Sequence, residues 1–191
     1  MLIQKFIIRT LDILISIISL IVLIPFLILV SFLILLIDGK PIIFKQIRVG
    51  KFGKKFTIFK FRTMDPNIHK NENSRITKLG KILRKSSFDE LLQLINVINN
   101  DMSIVGPRPL PENIEKKIKS DLKEKRRKVL PGITGLSQIN YKGKKRSLIS
   151  KIKLDIVFVE NYSLQTYLKI ILKTPSVLII RLFKNKSSII K

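Results

Sequence analysis

The chain has 191 residues, enough for one domain with a core and an appended segment but not for two full domains. Its 37 Lys and Arg against 13 Asp and Glu give a formal net charge of +24, which calls for an anionic partner: a nucleic acid, an acidic lipid surface or a phosphorylated substrate. Cysteine is absent, and the single histidine, His69, sits in the polar run DPNIHKNENS. Disulfides and cysteine ligation are therefore excluded, a histidine-based zinc site or triad is not expected, and His69 reads as a solvated loop residue.

Residues 13–37 read ILISIISLIVLIPFLILVSFLILLI without a charge. A helix of about 20 residues crosses the roughly 30 Å hydrocarbon layer, so this run predicts a membrane segment. DGKP follows in place of a small-residue cleavage site, so the segment is expected to stay on. Lys5 and Arg9 precede it and far more Lys and Arg follow it, which by the positive-inside rule places the soluble part in the cytoplasm. Pro25 removes a backbone donor in mid-run and predicts a kink, with Ser16, Ser19 and Ser31 available to the exposed carbonyls. The kink fits either a bent spanning helix or a re-entrant one. Arg9 and Asp12, three residues apart on one helix side, could pair at the headgroup level, by default as a surface ion pair of little energetic worth.

The next segment, PIIFKQIRVGKFGKKFTIFKFRTM, places two β-branched and aromatic runs around Gly50 to Gly53 and predicts a β-hairpin. Strand alternation puts Phe56, Ile58, Lys60 and Arg62 on one face. Residues 65–74 read as a loop, and RITKLGKILRK as a short basic helix, with a break possible at Gly80. Phe88, Leu91, Leu92, Ile95 and Ile98 then recur at helical spacing, predicting a helix from about Phe88 that buries this stripe.

Two adjacent carboxylates, Asp89 and Glu90, open that helix, and two readings compete for them. Ser87 and Glu90 have the spacing of a capping box, and Asp89 suits the positive end of the helix dipole. The same helix start also attracts phosphate, with Arg84 and Lys85 just upstream to neutralise it. Asp89 held there stays ionised and can act as a nucleophile or hold Mg²⁺. In DMSIVGPRPLP, Arg108 is pinned between Pro107 and Pro109, a fixed guanidinium suited to bidentate phosphate binding. Farther on, ENIEKKIKSDLKEKRRKVL places Ile114, Ile118 and Leu122 on one side of a basic helix, which suits anionic lipid and core docking equally. TYLKIILKTPSVLIIRLF is interrupted by Lys169, Lys173 and Pro175, so interfacial packing is expected rather than a second span. The tail KNKSSIIK is expected to be mobile.

KFRTM (60–64), RITKLGKILRKSSFDELLQLINVINNDMSIVGPRP (75–109) and PGITGLSQIN (131–140) resemble the signature blocks of the bacterial sugar transferases, in family order behind an N-terminal membrane segment. These are small monotopic phosphoglycosyl transferases. The resemblance implies an α+β, predominantly helical fold with a re-entrant, Pro25-kinked N-terminal helix, a small β-hairpin and interfacial amphipathic helices. It divides the chain into a membrane-embedded helix (1–38), a cytoplasmic catalytic domain (39–185) and a tail (186–191), at the cytoplasmic face of the inner membrane. The implied reaction moves a sugar phosphate from a UDP-sugar to undecaprenyl phosphate and releases UMP, the first membrane step of surface glycan synthesis.

By the same resemblance Asp89 is the nucleophile that forms a phosphosugar-aspartate and shares Mg²⁺ with the diphosphate. Glu90 binds or deprotonates the acceptor phosphate, and Lys60, Arg62, Arg84 and Arg108 hold substrate phosphates. Anionic lipids are expected partners and nucleic acid is not. The chain departs from the family pattern at Ile24-Pro25, where a serine usually precedes the proline, and at Leu136, where many members carry tryptophan. Two other classes stay open: a catalytically inactive membrane-anchored relative, and a membrane-tethered nucleic-acid binder, for which no reading helix or stacking platform stands out.

Overall fold

The structure is a computed structural model that describes residues 2–67, 74–140 and 147–183. His69, the 185/186 boundary and the tail lie outside the described residues. The apolar run forms one helix, α1 (Leu2–Ile37), with Pro25 inside it. Among the described residues it is the one helix long and apolar enough to cross a membrane. Its buried positions, Ile8, Asp12 and Ser16 near one end and Val30 and Ile34 near the other, form one stripe, while Ile18, Ile21, Val22, Ile24, Ile28 and Leu29 stay exposed. Ser31 Oγ donates to the Leu27 carbonyl at 2.7 Å, which is not the carbonyl that Pro25 frees.

Where the spacing allows an Arg9–Asp12 pair, the structure shows two separate anchors. Arg9 Nη2 donates to the carbonyls of Val97 (2.8 Å) and Ile98 (3.3 Å). Asp12 Oδ1 accepts from the Ile104 amide and the Tyr167 hydroxyl, both at 2.8 Å. Each group gains more from a buried partner with unmet hydrogen-bonding capacity than from a solvated neighbour.

The hairpin forms as expected from β1 (Ile43–Val49) and β2 (Lys55–Phe61), antiparallel around a 3₁₀ turn at Lys51–Gly53. The basic segment is a continuous helix, α2 (Lys78–Ser86), capped by Thr77, whose Oγ1 accepts from the Gly80 amide. The break at Gly80 does not occur. That glycine serves packing instead, since a Cβ there would lie 2.2 Å from the Thr63 carbonyl oxygen.

The helix expected from Phe88 is divided into a 3₁₀ turn (Phe88–Glu90) and α3 (Gln93–Ile98). The face it buries differs from expectation: Asp89, Leu92, Gln93, Asn96 and Val97 are inside, while Phe88, Ile95 and Ile98 remain partly exposed. Asn96 explains part of the inversion. Its Oδ1 accepts from the Phe59 amide (3.2 Å) and its Nδ2 donates to the Thr57 carbonyl (2.7 Å), closing the free edge of β2. Phe88 packs edge-on against Phe26 of α1, with ring centroids 4.9 Å apart.

Beyond α3 come β3 (Ser103–Val105) and β4 (Leu110–Pro111), the latter pairing with β1 to give the order β2-β1-β4. The single basic helix expected next is two short ones, α4 (Glu112–Glu115) and α5 (Ser120–Arg126). Ile118 between them is buried with Ile152 and Ile156, so this segment docks on the core. Strand β5 (Gly132–Thr134) runs parallel to β3 and sets the GPRP and PGITG blocks side by side. Gly132 faces Gly106 so closely that a Cβ would fall 2.0 Å from the Gly106 nitrogen. The chain continues through α6 (Leu136–Ile139), α7 (Leu148–Glu160) and α8 (Leu164–Phe183). Ile8 of α1 packs with Val105, Phe158, Tyr167 and Ile170, joining the two chain ends in one core. The whole is α+β and predominantly helical, as expected.

Replacing Asn96 by Ala strips two part-buried backbone groups of β2 of their partners. It is expected to cost about 1–2 kcal/mol and to lower the thermal unfolding midpoint by several degrees.

Candidate active site

The PRP turn leaves β3 as the strand pair ends, and the 3₁₀ turn at Phe88–Glu90 brings Asp89 and Glu90 against it. Ser87 enters that turn with a left-handed backbone (φ 61°) and its side chain makes no capping bond. The capping box is therefore absent, because Glu90 is directed elsewhere. Glu90 Oε1 accepts from Lys60 Nζ and from Arg108 Nη2, each at 2.5 Å, and its Oε2 accepts from Arg108 Nη1 at 3.3 Å. The carboxylate thus joins β2 to the PRP turn as a two-cation clamp. Asp89 is buried, and among the described residues its carboxylate accepts no hydrogen bond.

The two neighbours titrate apart. Burial and the adjacent Glu90 charge push the Asp89 carboxyl up to about 6, against the pull of Lys60, Arg84 and Arg108. Burial opposes ionisation of Glu90 as well, but the charges and hydrogen bonds of Arg108 and Lys60 hold it down at about 2. Burial also lowers the Lys60 ammonium, partly offset by Glu90, while Glu90 raises the Arg108 guanidinium.

Of the four cations expected at phosphate, the structure brings Lys60, Arg84 and Arg108 to the dyad. Arg84 is exposed, with Nε on Thr63 Oγ1 at 2.7 Å. Arg62 is not brought there. It is buried, and its guanidinium donates to the carbonyls of Asp38, Gly39 (2.7 Å) and Lys40 (3.0 Å), so it fastens the linker after α1. Strand β2 ends at Phe61, so the alternation that would aim Arg62 beside Lys60 stops one residue short.

Arg48 is a cation the sequence reading passed over. Its Nη1 donates to the Pro109 carbonyl at 3.2 Å, and burial, reinforced by Arg108, lowers it to about 10. The register Phe44↔Lys60, Gln46↔Ile58 and Arg48↔Phe56 puts Arg48 on the Lys60 face. Counting outward from the Gly50 turn would have found it. A cavity of about 120 Å³, lined in part by Lys55, Lys116, Lys123 and Arg127, touches none of the dyad residues.

Among the described residues no group of three His, Asp or Glu side chains could hold a metal. Asp89 is one carboxylate with its acceptor capacity unspent, which fits Mg²⁺, an ion commonly held by one or two carboxylates and substrate phosphates rather than by a protein cage. The arrangement as a whole offers a raised carboxylate beside fixed cations, the equipment for displacement at phosphorus.

Because native Asp89 binds its proton more tightly than the unfolded chain does, ionising it costs stability above about pH 6. Asp89→Asn removes that cost. Its unfolding midpoint is expected to exceed wild type by about 3–6 °C at pH 8, with the gain shrinking as pH falls toward 4, measured by differential scanning fluorimetry across that range. Glu90 contributes the opposite way, its stabilisation present above its unfolded pKa and lost as pH falls through about 2.

Known proteins resemble the chain over most of its length. An uncharacterized sugar transferase of Bacillus subtilis, EpsL, is 43% identical over 144 residues, covering 71% of this chain and 69% of that protein. The UDP-glucose:undecaprenyl-phosphate glucose-1-phosphate transferase of Klebsiella pneumoniae is 37% identical over 193 residues, 94% of this chain and 41% of that protein. An Aeromonas hydrophila UDP-N-acetylgalactosamine-undecaprenyl-phosphate N-acetylgalactosaminephosphotransferase is 34% identical over 183 residues, 90% of this chain and 43% of that protein. The chain thus spans about two fifths of the latter two relatives. The bacterial sugar transferase profile matches residues 3–181, through the hairpin, the dyad, the PRP turn and the PGITG block, and the chain belongs to that family.

Proposed function

We propose that this sugar transferase moves a sugar 1-phosphate from a UDP-sugar to undecaprenyl phosphate, giving undecaprenyl-diphosphate-sugar and UMP. The observation that carries the reading is the division of labour in the dyad: Asp89 buried, raised and without a hydrogen bond among the described residues, Glu90 clamped between two cations. Relatives with this reaction in their names support it.

An Asp89 carboxylate oxygen attacks the sugar-bearing phosphorus, the phosphorus–oxygen bond to UMP breaks, and a phosphosugar-aspartate forms. An oxygen of undecaprenyl phosphate then attacks the same phosphorus and the bond to Asp89 breaks, restoring the carboxylate. Lys60, Arg84 and Arg108 oppose the charge that builds on the phosphoryl oxygens. Asp89 would hold Mg²⁺ together with substrate phosphate, and the ion would supply charge neutralisation for the approach of one anion to another. A carboxylate near pKa 2 is a weak base at neutral pH, so Glu90 is assigned to holding Lys60 and Arg108 in place. The acceptor needs little help, since a phosphate monoester has its second pKa near 6.

The reaction joins a soluble donor to a membrane-bound acceptor, which requires the site at the bilayer surface. Both ends of α1 pack on one globular body, Ile8 with Val105 and Phe158, and Ile34 with Phe61, Leu83 and Leu92. This supports a re-entrant α1 in a monotopic protein whose catalytic part lies on the cytoplasmic face of the inner membrane, since a spanning helix would carry one end away from that body. The exposed apolar face of α8, with Leu172 and Phe183, suits the interface between them.

Purified protein with Mg²⁺, undecaprenyl phosphate, and UDP-glucose or UDP-N-acetylgalactosamine among a panel of UDP-sugars is expected to release UMP. Release should depend on the lipid, stop with EDTA and fall at least 10³-fold in Asp89→Asn; near-native release by that variant would overturn the reading. Its rate should drop on the acid side of about pH 6, where Asp89 is protonated. A cysteine at position 2 should resist a membrane-impermeant periplasmic label; ready labelling would refute the re-entrant arrangement.

A further inference from the structure

The PRP turn has an unusual problem of attachment. Pro107 and Pro109 have no amide hydrogen, so the turn can be fixed to the rest of the protein mainly through its carbonyls. Three consecutive carbonyls are in fact taken, each by a different element. Pro107 accepts from the Gly132 amide of β5 (2.9 Å), Arg108 from Arg126 Nη2 at the end of α5, and Pro109 from Arg48 Nη1 of β1 (3.2 Å).

Arg126 lies in the basic run KEKRRK yet is only 5% exposed. Its Nε donates to Asp155 Oδ2 of α7 at 2.8 Å and its Nη1 to Glu115 Oε2 of α4 at 3.4 Å. Both carboxylates are buried, and Glu115 also accepts from Arg127 Nε at 3.0 Å. Two acidic partners and burial take Arg126 out of competition for an incoming phosphate. Its remaining nitrogen, Nη2, reaches the backbone of the residue that grips Glu90.

From this geometry we infer that Arg126 is a positioning residue for the phosphoryl transfer, acting through Arg108. By holding the Arg108 carbonyl against α4 and α7, it sets where the Arg108 guanidinium stands over Glu90 and the substrate phosphates. The inference rests on the reaction proposed above. The planar fork of arginine is essential to it, because three acceptors in three directions are served at once, and the ammonium of a lysine preserves the charge but not that reach.

The test is a double-mutant cycle on the full chain in detergent with undecaprenyl phosphate, using the donor of the panel that wild type turns over. Arg126→Lys keeps the charge beside Glu115 and Asp155 and is expected to fold, while kcat/KM for the donor falls at least tenfold, mostly in kcat. Arg127→Met, which loses a bond to Glu115 but no bond to the turn, is the control for damage to the ion cluster and should stay within about twofold of wild type. In an Arg108→Lys background, Arg126→Lys should cause little further loss. Losses that multiply in the double variant, or wild-type kcat/KM in Arg126→Lys, would overturn the inference. Wild type that is silent with every donor would instead remove the proposed reaction. Hydrogen exchange in the segment 103–112 then decides the anchoring alone: faster in Arg126→Lys supports it, unchanged refutes it.

Discussion

The carboxylate of Glu90 is where the two halves of the candidate site meet. One half is the hairpin, which delivers Lys60 on a strand; the other is the PRP turn, which delivers Arg108. Without an anion between them, two cations converging on one acceptor oxygen would repel, and with one they are held at bonding distance before any substrate arrives. The clamp also acts on its neighbour. Burial and the fixed negative charge beside it raise the Asp89 carboxyl, so the pair divides into a strong acid held by two cations and a weak one without a hydrogen bond among the described residues.

The same economy governs α1. Arg9 and Asp12 sit just before its charge-free apolar run, and both are spent on backbone groups and a tyrosine of the globular part. Arg62 grips the linker at the other end of α1 through three carbonyls. The apolar helix is thus tied to the catalytic part at both ends by charged or polar groups that would be costly to leave unpaired. Phe26 against Phe88 adds a direct contact one residue from Asp89, so the placement of α1 and that of Asp89 are mechanically linked.

A net charge of +24 suggests a diffuse basic coat, but the arginines divide into distinct duties. Arg84 and Arg108 retain exposure for an anion, whereas Arg9, Arg48, Arg62 and Arg126 each donate to main-chain carbonyls. A guanidinium with five fixed donors is suited to such work, which lysine cannot replace. Among the described residues most lysines remain at the surface, where they suit an acidic lipid face.

Local pattern in the sequence was enough for the elements whose cause is local. The apolar run of α1, the hairpin around Gly50 and Gly53, the strand face of Phe56, Ile58 and Lys60, and the adjacency of Asp89 and Glu90 all follow from composition and alternation over a few residues. What local pattern could not decide was how competing partners are chosen. Ser87 and Glu90 have capping-box spacing, yet Glu90 goes to two cations, from 30 and 18 residues away, that bind a carboxylate more strongly than one backbone amide does. The apolar stripe of Phe88, Ile95 and Ile98 stays partly open, and Asn96 is buried, because the edge of β2 needed a hydrogen-bonding partner. Arg126 looks like one more surface charge in KEKRRK until α4, α7 and the PRP turn close around it. Periodicity reports which residues share a face; only the tertiary structure determines which unmet donors and acceptors that face will meet.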